Sequence, residues 1–315
     1  MSNILVTGGA GFIGSALARR LIEEEHQVYI IDSLSTGSKN NIPDKSVFIE
    51  GDVSNPNIYT KLEKKNIEII FHFSGQSSGE ISFDDPIRDL NDNVSGTLAL
   101  CNFMLKENIN KIYYASSVTV YGNNANLPSK EEDMDIEKIK SFYAIGKVAS
   151  ENYLRVFSEN YQINPICLRF FTIYGPGQNM ENLRQGMVSI FLKLIIQEKK
   201  LIKVKGSLDR FRDILHIDDL VEICTRLIYK DLKGYHIFNV GSGQKTTVRE
   251  MISIITNALN KRIEVLEEGS TPGDFFGSQA DISKLSSILD YSPKITPDIG
   301  IKSFVDWYYK SKKLF

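Results

Sequence analysis

The chain has 315 residues, with 37 Lys and Arg against 39 Asp and Glu, for a net charge of −2 at neutral pH. Its 42% apolar content suffices for a substantial core, and the near-neutral balance argues against a nucleic-acid or membrane-surface binder. Scattered single cysteines (Cys101, Cys167, Cys224) and histidines (His26, His72, His216, His236) exclude a disulfide framework and a metal site, and no apolar run approaches a membrane span, so a cytoplasmic protein without a signal peptide is expected.

Ile4-Leu5-Val6-Thr7 is a short apolar run that breaks into Gly8-Gly9-Ala10-Gly11-Phe12-Ile13-Gly14. Residues 15–22 follow, apolar on one helical face, so the start of the chain reads as strand, tight turn and helix. Gly8 suits a backbone conformation closed to other residues, Gly11 admits a pyrophosphate close to the main chain, and Gly14 lets helix pack on strand. Unpaired N–H groups at the helix start then favour a phosphate. A plain glycine-rich turn has the same three glycines, so the next segment matters. Residues 27–31 read as a buried strand, and Asp32 follows it eighteen positions after Gly14. A carboxylate there accepts ribose hydroxyls and repels a 2′-phosphate, which points to NAD rather than NADP.

Residues 47–50 form a third predicted strand, ending in Gly51-Asp52-Val53. Asp52 there either meets the adenine amino group, with Val53 on the ring, or simply turns the chain. Residues 69–73 are a fourth strand, running into the small-residue loop 74–79 at the edge where open parallel sheets hold ligands. Asn93 is expected to open a long helix over 94–107 that is apolar around much of its girth and so buried against a partner helix. Residues 111–115 lead into Ser116-Ser117-Val118-Thr119; a charged loop, 130–140, precedes the helix of Tyr143 and Lys147; residues 165–171 are a sixth strand. This alternation predicts an α/β fold with a doubly wound parallel (Rossmann) sheet. Beyond Tyr174-Gly175-Pro176-Gly177, helices separated by short strands predict a smaller, mixed α/β C-terminal substrate domain. The expected division is 1–173 and 174–315, with a strand near 235–241 returning to the first sheet.

Tyr143-Ala144-Ile145-Gly146-Lys147 places a phenol and an ammonium on one face of a helix, a spacing also common in helices without chemistry. A phenol of pKa about 10 is a poor base at neutral pH. A neighbouring ammonium and a nicotinamide cation both favour the phenolate, which then takes a substrate hydroxyl proton while hydride leaves the same carbon. Lys147 also reaches the nicotinamide ribose in this reading, and Ser117 bridges the substrate oxygen and Tyr143.

These motifs together, in order and at their spacings, resemble the extended short-chain dehydrogenases that act on nucleotide sugars. The resemblance continues through residues 168–176, Arg212-Asp213-Ile214-Leu215-His216-Ile217-Asp218-Asp219 and Asn239-Val240-Gly241-Ser242-Gly243, and so spans nearly the whole chain. It implies Ser117, Tyr143 and Lys147 as catalytic residues. It also implies an NAD site of Gly8, Gly11, Phe12, Ile13, Gly14, Asp32, Asp52, Val53, Phe73, Asn93, Ser116, Tyr143 and Lys147, without a metal. The resembling 4,6-dehydratases carry Asp-Glu, and the decarboxylases a glutamate, where this chain has Val118 and Thr119. Reductoisomerases carry a cysteine at the place of Val118 and favour NADP. Residues 116–122 are similar instead to UDP-hexose 4-epimerases, in which C4 is oxidised to a ketone, the sugar turns over and hydride returns to the opposite face. The implied function is NAD-dependent 4-epimerisation of a nucleotide-diphosphate sugar. A net C4 dehydrogenase would use the same residues, whereas a non-catalytic NAD sensor would have lost the trio.

Substrate contacts implied by the resemblance are Ser78, Thr119, Thr172, Arg212 and Asp274, while Gln178, Asn182 and Arg184 either line the sugar or nucleotide pocket or serve a helix surface. Thr271 stands where family epimerases commonly have a pyrophosphate-binding Arg, which leaves Arg212, or Arg210 beside it, as the cation for a diphosphate. Thr172 stands where galactose-type epimerases usually have Asn. A homodimer is also implied, built as a four-helix bundle from the helix after Asn93 and the helix of Tyr143, whose Ala149, Tyr153, Val156 and Phe157 form an apolar face that an ordinary core helix would share. No nucleic-acid or membrane partner is expected.

Overall fold

The computed structural model describes residues 1–123, 126–198, 200–269 and 275–312. In chain order the elements begin β1 (Asn3–Thr7), α1 (Phe12–Glu23), β2 (Gln27–Asp32), β3 (Val47–Glu50), β4 (Ile69–His72), α2 (Pro86–Leu90), α3 (Gly96–Glu107), β5 (Lys111–Ser117), α4 (Phe142–Tyr161) and β6 (Asn164–Phe170). They continue with β7 (Thr172–Tyr174), α5 (Met187–Gln197), β8 (Leu201–Lys205), β9 (Phe211–Arg212), β10 (Ile214–His216), α6 (Ile217–Ile228) and β11 (His236–Val240). The last are β12 (Thr246–Thr247), α7 (Val248–Ala258), β13 (Glu264–Glu268), α8 (Ser283–Leu289) and α9 (Pro297–Lys312).

Seven strands form one sheet in the order β11-β6-β5-β4-β1-β2-β3, and β3, β2, β1, β4 and β5 are parallel neighbours. Ile4, Leu5, Val6, Val28, Ile30 and Ile31 are all fully buried, as the central strands of a sheet covered on both faces must be. This is the expected doubly wound α/β fold. The strand order reverses between β1 and β4, and Thr7 and His72 lie side by side at their carboxyl ends. Such a reversal opens the crevice in which these sheets bind ligands.

Packing divides the chain into two units, neither of them contiguous. The first comprises Met1–Val120, Ser141–Arg169 and Val221–Phe238; the second comprises Tyr121–Lys140, Phe170–Leu220 and Asn239–Phe315. The late segment of the first unit is tied down by Tyr113 Oη donating to Leu227 O (2.6 Å), by Lys111 Nζ donating to Ile228 O (2.7 Å), and by Arg20 pairing with Glu222 (3.0 Å). Its strand β11 forms one edge of the sheet, beside β6.

The helical path carrying Asn93 begins earlier than its apolar pattern suggests. Asp85 caps α2 by accepting from Arg88 N (2.9 Å), and Pro86 occupies the first turn, a strong start signal. Asn93 therefore does not open a helix. It lies buried in a wide, i→i+5 turn over Asn91–Ser95 that joins α2 to α3, a feature often found at functional sites.

The second unit has its own core, in which Val188, Leu192 and Ile195 of α5 meet Val248, Met251 and Ile255 of α7 and Ile301 and Phe304 of α9. Strand β8 pairs with β13 and β7 with β10, both parallel, while β9 and β12 are antiparallel. Thr247 and Glu250 form a reciprocal cap at the start of α7, worth about 1 kcal/mol. Three polar residues from the sequence motifs anchor backbone here. Asp213 accepts from Ser242 N (2.6 Å), Gly243 N (2.9 Å) and Ala280 N (3.0 Å). Asp219 accepts from Tyr291 Oη (2.6 Å) and Ile295 N (2.9 Å), and Asn239 Nδ2 donates to Ser129 O (2.8 Å).

Candidate active site

The turn after β1 is fixed by contact. Gly8 has φ +72°, and a Cβ there would meet Ser74 N at 2.7 Å and Phe73 O at 2.8 Å. A Cβ on Gly14 would lie 2.2 Å from Gly8 O, so this residue holds helix against strand. Gly9, which the motif reading passed over, is equally constrained, because its Cβ would fall 2.6 Å from Ile30 Cγ2. Gly11 is looser (3.2 Å to Gly8 O) and caps α1 with its main chain only. No side chain caps that helix and no acid occupies its first turn, so the leading N–H groups around Phe12 and Ile13 remain suited to an anion.

Asp32 is buried at the end of β2, where Oδ2 accepts from Ala10 N (3.0 Å) and Oδ1 from Leu34 N (2.8 Å). A carboxylate offers about four acceptor sites, which leaves capacity for ribose hydroxyls. Asp52 is exposed and accepts from Ser54 N (2.8 Å). With Ser33 and Asp92 it lines a hollow of about 710 Å³. Val53 is buried next to Gly96, where a Cβ would come within 2.9 Å of its Cγ2. The glycine turn, the uncapped helix start and the carboxylate after β2 fit a dinucleotide.

Ser141 caps α4 by accepting from Ala144 N (3.2 Å), and the helix carries Tyr143 and Lys147 inward. Tyr143 lies beside Ser117, whose Oγ accepts from Thr119 N (3.2 Å) and Thr119 Oγ1 (3.0 Å). Burial pushes the Tyr143 phenol up to about 12, against the nearby Ser117 hydroxyl, and Asp89 adds to the rise. Desolvation thus leaves the phenol above its ordinary value, where the neighbouring ammonium was expected to lower it. Lys147 is only 4% exposed, with Nζ 4.9 Å from the centre of the Tyr114 ring and 5.5 Å from that of Tyr143. Burial pulls it down to about 8, opposed by Asp89 and Glu151.

Beneath these groups lie polar residues that the sequence reading did not connect. Ser116 donates to Glu151 (2.5 Å), and Glu151 is paired with Arg169 (2.8 Å), all three buried. His72 links Thr7 (2.8 Å) and Thr97 (3.1 Å), and burial takes it down to about 3, so it is neutral at pH 7. Asp89 is buried and accepts from Gln76 Nε2 (2.9 Å) and Asn93 Nδ2 (3.3 Å). Asn93 Oδ1 is buried without a hydrogen-bond partner, next to Gly75, where only a glycine fits (2.5 Å). The one signal for Asp89, an acid in a helix's first turn, is common at any helix start.

The other sequence candidates are more dispersed. Phe73 is half-buried and sets the wall against Gly8. Ser78 is buried, and its N–H donates to Gln76 Oε1. In the second unit, Thr172 N donates to Asp213 O (3.0 Å). Arg212 is buried over the Phe275 ring (4.3 Å) and donates to Phe211 O (2.8 Å). Arg210 Nε donates to Ser207 O (3.1 Å), which holds its own turn. Gln178 packs on Gly186, and Asn182 Oδ1 accepts from Arg184 N (3.0 Å) in a local turn. Asp274 and Thr271 lie outside the described residues. No described helix is long and apolar enough to cross a membrane, and the described residues hold no cluster suited to a metal.

The family model described as the NAD dependent epimerase/dehydratase family matches residues 4–241. A putative UDP-glucose 4-epimerase of Methanocaldococcus jannaschii is 33% identical over 305 residues, covering 96% of this chain and 97% of that protein. The UDP-glucose 4-epimerase of Thermotoga maritima, solved with UDP-glucose, has a TM-score of 0.92 at 30% identity, covering 98% of this chain and 99% of that one. The UDP-glucose 4-epimerase of Bifidobacterium longum, in complex with NAD+ and UDP, has a TM-score of 0.91 at 27% identity, with both chains fully covered. By sequence and by fold, this chain belongs to the NAD dependent epimerase/dehydratase family, and its cofactor is NAD.

Proposed function

We propose that this enzyme is a nucleotide-sugar 4-epimerase working through a transient 4-keto sugar. The observation that carries the reading is Tyr143 set beside Ser117 and a buried Lys147, with Val118 and Thr119 following Ser117 along the chain. That arrangement moves one proton at one hydroxyl and offers no added carboxylate at positions 118 and 119 to eliminate water. NAD, when bound, would take hydride from C4 and give it back to the opposite face of the ketone. Tyr143 takes the 4-hydroxyl proton, and Ser117 orients the substrate oxygen toward it. Because burial holds the phenol near 12, the phenolate depends on positive charge that arrives with the cofactor and on the ammonium of Lys147. Lys147 also binds the nicotinamide ribose. After the sugar turns over, Tyr143 returns the proton to the opposite epimer.

In this reading the first unit binds NAD, through the residues from Gly8 to Lys147 named above, and the second binds the nucleotide sugar, with Thr172 and Arg212 as its contacts. Exposed Phe142 (47%), Ile145, Tyr153 (45%) and Val156 on α4 support a homodimer in which a second copy covers that face. The test is incubation with UDP-, GDP-, CDP- and dTDP-sugars, with product NMR, absorbance of reduced nicotinamide, and light scattering on the same preparation. A product of unchanged mass with inverted C4, no lasting NADH and a two-chain mass are expected. A product two hydrogens lighter with accumulating NADH would instead make it a C4 dehydrogenase, and a one-chain mass would remove the dimer.

A further inference from the structure

We propose that Asp89 is a positioning residue for this reaction: its carboxylate, set between α2 and α4, is the counter-charge that keeps Lys147 an ammonium beside Tyr143. The inference rests on the proton-transfer reading above for its kinetic consequence, and for the pairing on the burial of both groups and the seat of the Asp89 carboxylate against α4.

Asp89 is 2% exposed. Its Oδ1 accepts from Gln76 Nε2 (2.9 Å) and Asn93 Nδ2 (3.3 Å), and Asn93 Nδ2 also reaches Asp89 O (3.1 Å). Both donors are neutral, so they fix the carboxylate without balancing its charge. Its Oδ2 lies 3.5 Å from where a Cβ on Gly146 would stand. The carboxylate thus abuts α4 at the residue preceding Lys147, over a helix turn without a side chain.

Few charges lie around this point. Facing Lys147 are Asp89 from α2, Glu151 and Tyr143 from its own helix, His72 from β4 and the Tyr114 ring from β5. His72 is neutral, and Glu151 is matched by Arg169 at 2.8 Å. Facing Asp89 are Lys147 and Tyr143 from α4 and Asp92 from its own helical path. Arg88, the nearest cation on that path, is turned to Asp92 (3.5 Å). Arg169 thus answers Glu151, and Asp89 is the buried anion left to answer Lys147. A buried charge stripped of its partner is strongly unfavourable. Burial draws Lys147 down to about 8 and Asp89 up to about 6, and each opposes the other's shift. Removing the negative charge therefore lowers Lys147 further, so its ammonium is lost at a lower pH.

The variant Asp89→Asn keeps the shape and an acceptor for Gln76 while removing the charge. The full chain and this variant are compared for kcat and KM across neutral to alkaline pH. Thermal melts are recorded for Asp89→Asn, Lys147→Met and the double variant. The alkaline limb of kcat should move down by about one pH unit or more, with KM for the sugar little changed. Each single variant should lower Tm, and the double should melt well above the sum of the two losses, because neither charge is left alone. An unmoved limb or additive melts would overturn the pairing. If Asp89→Asn alone does not fold, recovery of a folded double variant supports the pairing and failure to recover overturns it. The melts need no substrate, so a chain that turns over no nucleotide sugar loses the proposed function while the pairing is still judged.

Discussion

The two units hold their candidate groups in different ways. In the first, backbone geometry leaves no latitude: Gly8, Gly9 and Gly14 each have main chain or a fixed side chain where a Cβ would go, and Asp32 is already bonded to two backbone N–H groups. In the second, Asn182 and Arg210 bond within their own turns, and Arg212 rests on a ring and on backbone carbonyls. A dinucleotide is the same molecule in every enzyme that uses it, so its site can be built into strand ends and helix starts. A sugar nucleotide varies, and loops are where such variation is accommodated.

That contrast breaks or sharpens under three substitutions. The largest effect is expected from Gly14→Ala, whose methyl would fall 2.2 Å from Gly8 O and force β1 from α1. Loss of cooperative folding and of NAD binding, read by melting and by cofactor content, is the expected outcome; a stable, NAD-loaded variant would show that the turn yields. Next comes Tyr143→Phe, which should lower kcat by about 10²–10⁴-fold with NAD retained, the scale of losing an acid–base group. Turnover near that of the unaltered chain would remove Tyr143 from the chemistry. The smallest is Asn182→Ala, which should change stability by no more than about 0.5 kcal/mol and leave kcat/KM within about threefold, since its carboxamide serves its own turn. A large rise in KM there would make the second unit as exacting as the first.

The same contrast explains what was readable in the chain beforehand. Gly8, Gly11, Gly14, Asp32 and the Tyr143–Lys147 spacing are short-range requirements, written within one turn, one strand end or one helix face. The doubly wound sheet followed from alternating apolar runs. What escaped depends on elements far apart meeting: Asp89 lies nearly sixty positions before Lys147, and the Ser116–Glu151–Arg169 set is shared by β5, α4 and β6. Periodicity says which side chains turn inward but not which charges become neighbours there. The phenol pKa shows the same limit, since the sequence reveals the adjacent lysine but not the depth of burial that raises the phenol. Asp213 and Asn239 were visible as motif residues, yet only their bonds reveal that they fasten loops.

The position of β11 at the sheet's outer edge also has a bearing on how the chain is made. Strand β6 ends at Phe170, but its outer neighbour begins only at His236. At the pace of a ribosome, roughly 5–20 residues per second, the growing chain carries β6 with an unpaired edge for several seconds. Throughout that interval much of the second unit is emerging while the first is still open. An open edge invites pairing with other chains. The Leu227 and Ile228 carbonyls that Tyr113 and Lys111 await arrive just before the strand that closes the sheet. The first half of the gene thus encodes a domain that only the second half can finish.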